Sequence, residues 1–231
     1  MKIAEIFYSI QGEGQYAGVP SAFIRTSGCN LRCVWCDTPY ASWSPRGRTM
    51  SIPRIVAQIK NIPSPHVVIT GGEPMLQPDL PELVRRLNAA KRLVTLETAG
   101  TLWRPLRLHL ASVSPKLANS TPWRRQGGRL ASAHESGRIR LDVLRRFARS
   151  RLIARIQWKF VVSAPDDLIE IEDILKRIGS VNPADVLLMP QGVTPAELAR
   201  RGGWVTQLCQ QRGFRFGPRL QIALYGNQPG T

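Results

Sequence analysis

The chain has 231 residues, 43% of them hydrophobic, and a formal net charge of +16. That is enough apolar material for one sizeable core, and one domain over residues 1–231 is the simplest expectation at this length. No run of about 18 apolar residues is present, which argues against a membrane-spanning helix. The opening MKIAEIFYSIQGEG lacks the apolar region and cleavage site of a secretory leader, so the cytoplasm is the expected compartment.

The first apolar run, Ile3–Ser9, predicts a strand leading into the polar turn Gln11-Gly12-Glu13-Gly14. A second strand, Ser21–Thr26, runs into a loop that holds three of the four cysteines. A helix is expected over Ile52–Lys60, with Pro53 in its first turn. The strand His66–Thr70 ends on Gly71-Gly72-Glu73-Pro74, whose paired glycines permit close backbone approach or positive φ. Leu80, Leu83, Val84 and Leu87 make a helical stripe, with Asp79 as its cap and Glu82 in its first turn. Strands Leu93–Glu97 and Leu108–Val113 lead into Thr98-Ala99-Gly100 and Ser114-Pro115-Lys116. Residues 119–135, polar and carrying Pro and Gly, read as a long surface excursion and a candidate for mobility. A helix through Ile139, Val143, Leu144 and Phe147 follows, then a strand Gln157–Val162. Leu168, Ile171, Leu175 and Ile178 make another stripe, capped by Asp167 with Glu170. The strand Asp185–Met189 precedes Pro190-Gln191-Gly192, and Thr194-Pro195 opens a last helix.

Strands alternating with helices place the chain in the α/β class with a mostly parallel sheet, open or curled. Ligands in such folds sit beyond the carboxyl ends of the strands, so the six polar segments are expected to form one mouth there. The charge is uneven. Residues 1–40 balance to zero, whereas residues 116–159 hold twelve Lys or Arg against Glu135 and Asp142. Such a stretch binds nucleic acid, steers an anion or is simply a solvated arginine-rich face, and no nucleic-acid module signature accompanies it. Gly12-x-Gly14-x-x-Ala17 imitates a dinucleotide fingerprint, but Pro20 and a strand follow it where a helix is required.

Cys29, Cys33 and Cys36 crowd into GCNLRCVWCDT, with spacing C-x3-C-x2-C, and Cys209 stands far away. Soft thiolates at this spacing suit iron–sulfur or zinc. Three ligands can hold three corners of a cubane and leave one iron open, whereas an electron-carrying cluster takes four cysteines. Zinc would need a closed fourth position, from Cys209 or from His66, His109 or His134. Cys209, in VTQLCQQ, also reads as a buried free thiol.

With Trp35 before Cys36, the loop resembles the signature of the radical S-adenosylmethionine superfamily, C-x3-C-x-φ-C with φ aromatic. That resemblance implies a partial (β/α) barrel with a curved, mostly parallel sheet. It implies that Cys29, Cys33 and Cys36 bind a [4Fe-4S] cluster whose open iron takes the amino nitrogen and carboxylate of S-adenosylmethionine. One electron then breaks the S–C5′ bond, and the 5′-deoxyadenosyl radical takes a hydrogen atom from substrate. The cofactor's amino group falls to Gly72 and Glu73. Ser114 and Lys116 fall to its ribose or carboxylate, Gln191 to ribose or adenine, and Trp35 beside the cluster and adenine.

Further motifs narrow the resemblance: IAEIFYSIQGEG at Ile3–Gly14, FIRTSGCNLRCVWCDT at Phe23–Thr38, ITGGEP at Ile69–Pro74, then LETAG, SPK, KFVV, MPQG and PRL. Together they are similar to the 7-carboxy-7-deazaguanine synthase family of the queuosine pathway. The resemblance implies a lyase that contracts 6-carboxy-5,6,7,8-tetrahydropterin to 7-carboxy-7-deazaguanine with loss of ammonia. It implies Mg2+ at the substrate, a reducing electron donor and a homodimer. Gln11, Gly12 and Glu13 match the pterin-binding turn and Thr70 a further substrate contact. Arg25 matches the arginine that meets the substrate carboxylate, and Thr38 the hydroxyl ligand of Mg2+, with Asp37 at its water shell or at the cofactor. The family places a histidine after PRL where this chain has Gln221, which hydrogen-bonds but does not titrate near neutrality. Two other readings stay in view: an activating enzyme for a glycyl-radical partner, and a basic zinc module that binds nucleic acid. The favoured reading needs no direct nucleic-acid substrate and no membrane.

Overall fold

Several strands are near-continuous apolar runs because they are buried on both faces, as parallel strands under helices must be. The computed structural model describes residues 1–179 and 181–231. Among these residues the strands are β1 (Lys2–Ile10), β2 (Pro20–Thr26), β3 (Arg48–Thr49), β4 (His66–Gly71), β5 (Leu93–Thr98), β6 (Leu108–Val113), β7 (Ile153–Val162), β8 (Val186–Pro190) and β9 (Arg215–Phe216). They form one sheet in the order β3-β1-β2-β4-β5-β6-β7-β8-β9. The end strands β3 and β9 do not pair with each other, so the curved sheet is an open, partial barrel.

Every pair from β2 and β4 onward is parallel, but β1 is antiparallel to β2, with Ile10 opposite Pro20. The carboxyl end of β1 therefore lies at the amino ends of the parallel strands. This corrects the expectation that the Gln11–Gly14 turn shares the mouth by following its strand. The turn reaches the site by folding into the concave side of the sheet. There Gln11 Nε2 donates to Glu97 Oε1 of β5 at 3.1 Å and Gln15 N to Gln157 Oε1 of β7 at 2.8 Å.

The helices are α1 (Ile52–Lys60), α2 (Leu80–Ala89), α3 (Ala131–Gly137), α4 (Leu141–Arg149), α5 (Asp167–Ile178), α6 (Pro195–Arg212) and α7 (Leu220–Tyr225). Their apolar stripes enter one core: Ile55 and Ile59 of α1, Leu83 and Leu87 of α2, Leu144 and Phe147 of α4, Ile171 and Ile174 of α5. In α5 it is Ile174, not Leu175, that is fully buried. Asp79 precedes α2 without a capping bond and faces the N-terminal ammonium of Met1 at 3.4 Å. Asp167 lies inside α5 and accepts from Ser163 N and Ala164 N ahead of it. The α6 start is the strongest local signal: Thr194 and Glu197 form a reciprocal capping box, with Pro195 in the first turn. No helix among the described residues is long and apolar enough to cross a membrane.

Residues 119–135 mix exposed positions, Trp123, Arg124 and Arg129 among them, with buried ones. They carry a 3-10 turn (Arg125–Gly128) and the start of α3, and Ser120, Thr121, Ala131 and His134 are buried. Three of their polar groups, His134 Nδ1, Ser120 O and Arg125 Nη1, bond the backbone of another loop, the one that holds the cysteines.

Candidate active site

β4 ends flat against that loop. A Cβ on Gly71, which sits at φ +143°, would meet Thr26 O at 2.3 Å, and one on Gly72 would meet Gly28 O at 2.1 Å. Glycine at both positions lets Gly72 N donate to Thr26 O at 3.1 Å and Glu73 N to Gly28 O at 2.8 Å. Glu73 itself is 0% exposed. It accepts from Met75 N at 3.0 Å, Thr98 Oγ1 at 2.7 Å and Ala99 N at 2.8 Å. Burial pushes its carboxyl up and these three bonds pull against that. Glu73 thus clamps β4 to β5 from behind the cavity wall, rather than facing the cavity as expected.

Beyond Gly28 the loop has little regular structure and is held by side-chain and backbone bonds. Gly28 N donates to Ala41 O and Val34 N to Ser120 O, both at 2.8 Å. Trp43 Nε1 donates to Cys33 O at 2.9 Å and Trp35 Nε1 to Asn119 O at 3.1 Å. Cys29, Cys33, Cys36 and Trp35 pack with Leu31 and Ala99 in a small apolar cluster separate from the main core. Burial pushes the Cys29 thiol up to about 11 and the Cys33 thiol up to about 12.

The concave side of the sheet supplies the opposite wall. Glu13 accepts from Lys159 Nζ of β7 at 2.5 Å, Arg219 Nε at 3.2 Å and Gln221 Nε2 at 2.8 Å. Burial pushes Glu13 up, but the Lys159 ammonium and Arg219 guanidinium outweigh it and hold the carboxyl far below the usual range. Arg219 also donates to Asp37 and to Gly192 O. The result is a chain of alternating charge, Lys159–Glu13–Arg219–Asp37, from the sheet to the cysteine loop. Arg25 of β2 gives Nε to Glu5 Oε1 at 2.6 Å, and the Tyr40 hydroxyl donates to the same oxygen. Thr70 Oγ1 donates to Glu97 Oε2 at 2.8 Å. Lys116 Nζ donates to Ser114 Oγ at 2.8 Å and stands 5.9 Å from the centre of the Trp35 ring. Gln221 Oε1 is buried without a hydrogen-bond partner.

Both walls enclose one cavity of about 390 Å³. It is lined by Cys29, Cys33 and Cys36, by Gln11, Gly12, Glu13, Arg25, Thr70 and Gln221, and by Trp35, Asp37, Thr38, Gly72, Ser114 and Lys116. Of the site residues expected from the sequence, only Glu73 and Gln191 do not line it. From the MPQG segment the cavity receives Met189 instead, while Gly192 O holds Arg219. Glu97, Lys159 and Arg219 line it without having been singled out. Lys159 had a visible signal, a lone cation within the apolar run QWKFVV. Arg219 lay in the matched PRL segment, but its pairing was not visible, since its partners Glu13 and Asp37 are 206 and 182 residues away.

A profile of the Radical SAM superfamily matches residues 23–113. The 7-carboxy-7-deazaguanine synthase of Halobacterium salinarum is 44% identical over 241 aligned positions, covering 100% of this chain and 93% of the relative. The enzyme of the same name from Rhodopirellula baltica is 40% identical, covering 99% of this chain and 88% of the relative.

The chain belongs to the 7-carboxy-7-deazaguanine synthase family.

It is therefore a lyase of the radical type, on a partial (β/α) barrel. The crystal structure of QueE from Escherichia coli superposes with a TM-score of 0.68 at 26% identity, covering 94% of this chain and 92% of that one. Membership of the superfamily implies an S-adenosylmethionine-dependent mechanism with a [4Fe-4S] cluster. The donor set present fits such a group: three thiols share one cavity wall, and Gly72, Ser114 and Lys116 are beside them. Among the described residues no three of His, Cys, Asp or Glu are arranged to hold a metal ion. Cys209 is buried in the main core, away from that wall. His66 is bonded to Ser21 and Thr95, and His109 to Tyr16. None of the three lines the cavity as a fourth ligand for a closed zinc site.

Proposed function

We propose that this chain converts 6-carboxy-5,6,7,8-tetrahydropterin to 7-carboxy-7-deazaguanine with loss of ammonia, using a [4Fe-4S] cluster on Cys29, Cys33 and Cys36, S-adenosylmethionine and Mg2+. The observation that carries this reading is the single cavity that joins the cysteine wall to the Gln11–Glu13 turn. When bound, the cluster and S-adenosylmethionine supply one-electron bond cleavage and hydrogen-atom abstraction; everything else is the work of this chain's residues.

Glu13 stays ionised between Lys159 and Arg219, and three of its roughly four acceptor positions are taken, which leaves one for an N–H of the pterin edge. Gln221 spends its amide nitrogen on Glu13, and its unpartnered Oε1 is buried against Gly12, so a small side-chain rotation must turn it to a second substrate N–H. A neutral acceptor suffices there, so glutamine replaces the family's histidine as a binding group. Gln11 and Thr70 are both tied to Glu97, and Gln11 Oε1 also accepts from Glu13 N, which fixes both side chains at the cavity wall. Arg25 gives Nε to Glu5 and keeps the outer edge of its fork, Nη1 and Nη2, for the substrate carboxylate. The Thr38 hydroxyl serves Mg2+, which keeps waters and needs few protein ligands. Asp37, oriented by Arg219, holds that water shell. Ser114, Lys116, Trp35 and the backbone of Gly72 hold the cofactor, with Gln191 left outside the contact set. A homodimer and an external one-electron donor complete the reading.

The test is anaerobic turnover of the reconstituted protein with the carboxytetrahydropterin, S-adenosylmethionine and a reductant, with and without Mg2+. Mass spectrometry should find 7-carboxy-7-deazaguanine, formed faster with Mg2+. Deoxyadenosine without the deazaguanine would refute the substrate assignment and favour a glycyl-radical activating role.

A further inference from the structure

His134 is 2% exposed, lies on α3, and takes no part in the chemistry above. Both ring nitrogens are engaged. Arg32 N donates to Nδ1 at 2.9 Å, and Nε2 lies 2.9 Å from Ser120 Oγ, which donates to Leu117 O at 2.6 Å. A backbone N–H can only donate, so Nδ1 is bare and the proton sits on Nε2, donated to Ser120. Every station in the chain Arg32 → His134 → Ser120 → Leu117 is then satisfied. An imidazolium would set an N–H against the N–H of Arg32, and burial accordingly pushes His134 down to about 4. One end of the chain is next to Cys33; the other is next to Lys116. Around it Arg138 donates to Lys116 O at 3.0 Å and pairs with Glu135, and the Thr121 hydroxyl donates to Glu135.

We propose that His134 is a positioning residue, whose imidazole, accepting at Nδ1 and donating at Nε2, ties the cysteine loop at Arg32 to the Ser114–Lys116 strand end. Through this tie the polar stretch 119–135 fixes the spacing between the thiols and the groups that hold the cofactor. This rests on the reading of Cys29, Cys33 and Cys36 as cluster ligands.

The test compares the reconstituted full-length wild type with His134→Leu and His134→Asn. It follows iron loss to a chelator and mass-resolved iodoacetamide alkylation of each cysteine. Cys209, buried in the main core, reports general unfolding. His134→Leu should raise iron loss and alkylation of Cys33 and Cys36 about tenfold, with Cys209 unchanged, because the two hydrogen bonds that link Arg32 to Ser120 are lost. His134→Asn, whose Oδ1 can still accept from Arg32 N, should restore most of the difference. Wild-type rates in His134→Leu, or labelling of Cys209 in step with Cys33, would overturn the proposal. A wild type that takes up no iron would instead sink the cluster reading, and alkylation of the iron-free chains would still decide the tether.

Discussion

Glu13 and Lys159 meet inside the barrel, both almost wholly withdrawn from water, and both stay charged. Each charge is tolerated because the other is present, and removal of one partner leaves an uncompensated buried charge. Lys159→Met should therefore lower stability by about 3 kcal/mol, read by urea unfolding of the full chain. Arg219 and Gln221 still hold Glu13 in that variant, so the fold should survive. A stability change within ~0.5 kcal/mol would contradict the buried pair. At Gln221 the expectation differs. Gln221→Leu removes a neutral acceptor and should raise KM for the pterin about tenfold while kcat changes little. A large fall in kcat at unchanged KM would mean that this position acts in the chemistry rather than in binding.

At the scale of elements, β4 and its Gly71-Gly72 end carry the most demanding packing in the site. Gly72→Ala puts a Cβ 2.1 Å from Gly28 O and 2.5 Å from Ala41 O, both backbone atoms of the cysteine loop. The loop must shift, so the variant should fold by far-UV circular dichroism yet retain less than about half the wild-type iron after reconstitution, the loop no longer being held in ligating geometry. Full iron content would show that the close approach is dispensable. This element was legible in the sequence because apolar runs, paired glycines and caps are local signals. Residues 119–135 were not, because their order comes from hydrogen bonds to a loop about 85 to 100 residues earlier in the chain, which leave no periodic trace. The same holds for β3 and β9, two residues each, and for Glu73, whose motif was plain but whose inward orientation was not.

For the whole molecule, the alternation of strands and helices disclosed a parallel α/β sheet, but not that β1 runs against it, since direction is set by the pairing partner. That reversal puts the end of β1 at the amino ends of the parallel strands, and the Gln11–Glu13 turn enters the barrel by bonds to Glu97 and Gln157. The global pH response follows from two buried histidines. Burial lowers His66 and His134 from 6.5 to about 4. Between those values the unfolded chain binds more protons than the folded one, so stability rises with pH across this window. The melting temperature should thus fall as pH drops from about 6.5 toward about 4, and removing either histidine should flatten part of the slope. A melting temperature flat through that range would contradict the neutral, buried assignment.

The central claim is that three thiolates hold an iron–sulfur cluster with one iron open to the cofactor. It is tested most directly by electron paramagnetic resonance of the anaerobically reduced protein before and after addition of S-adenosylmethionine. The account predicts a [4Fe-4S]+ signal that changes when the cofactor is added and that persists in Cys209→Ser. A signal indifferent to the cofactor, or one that disappears with Cys209, would contradict it.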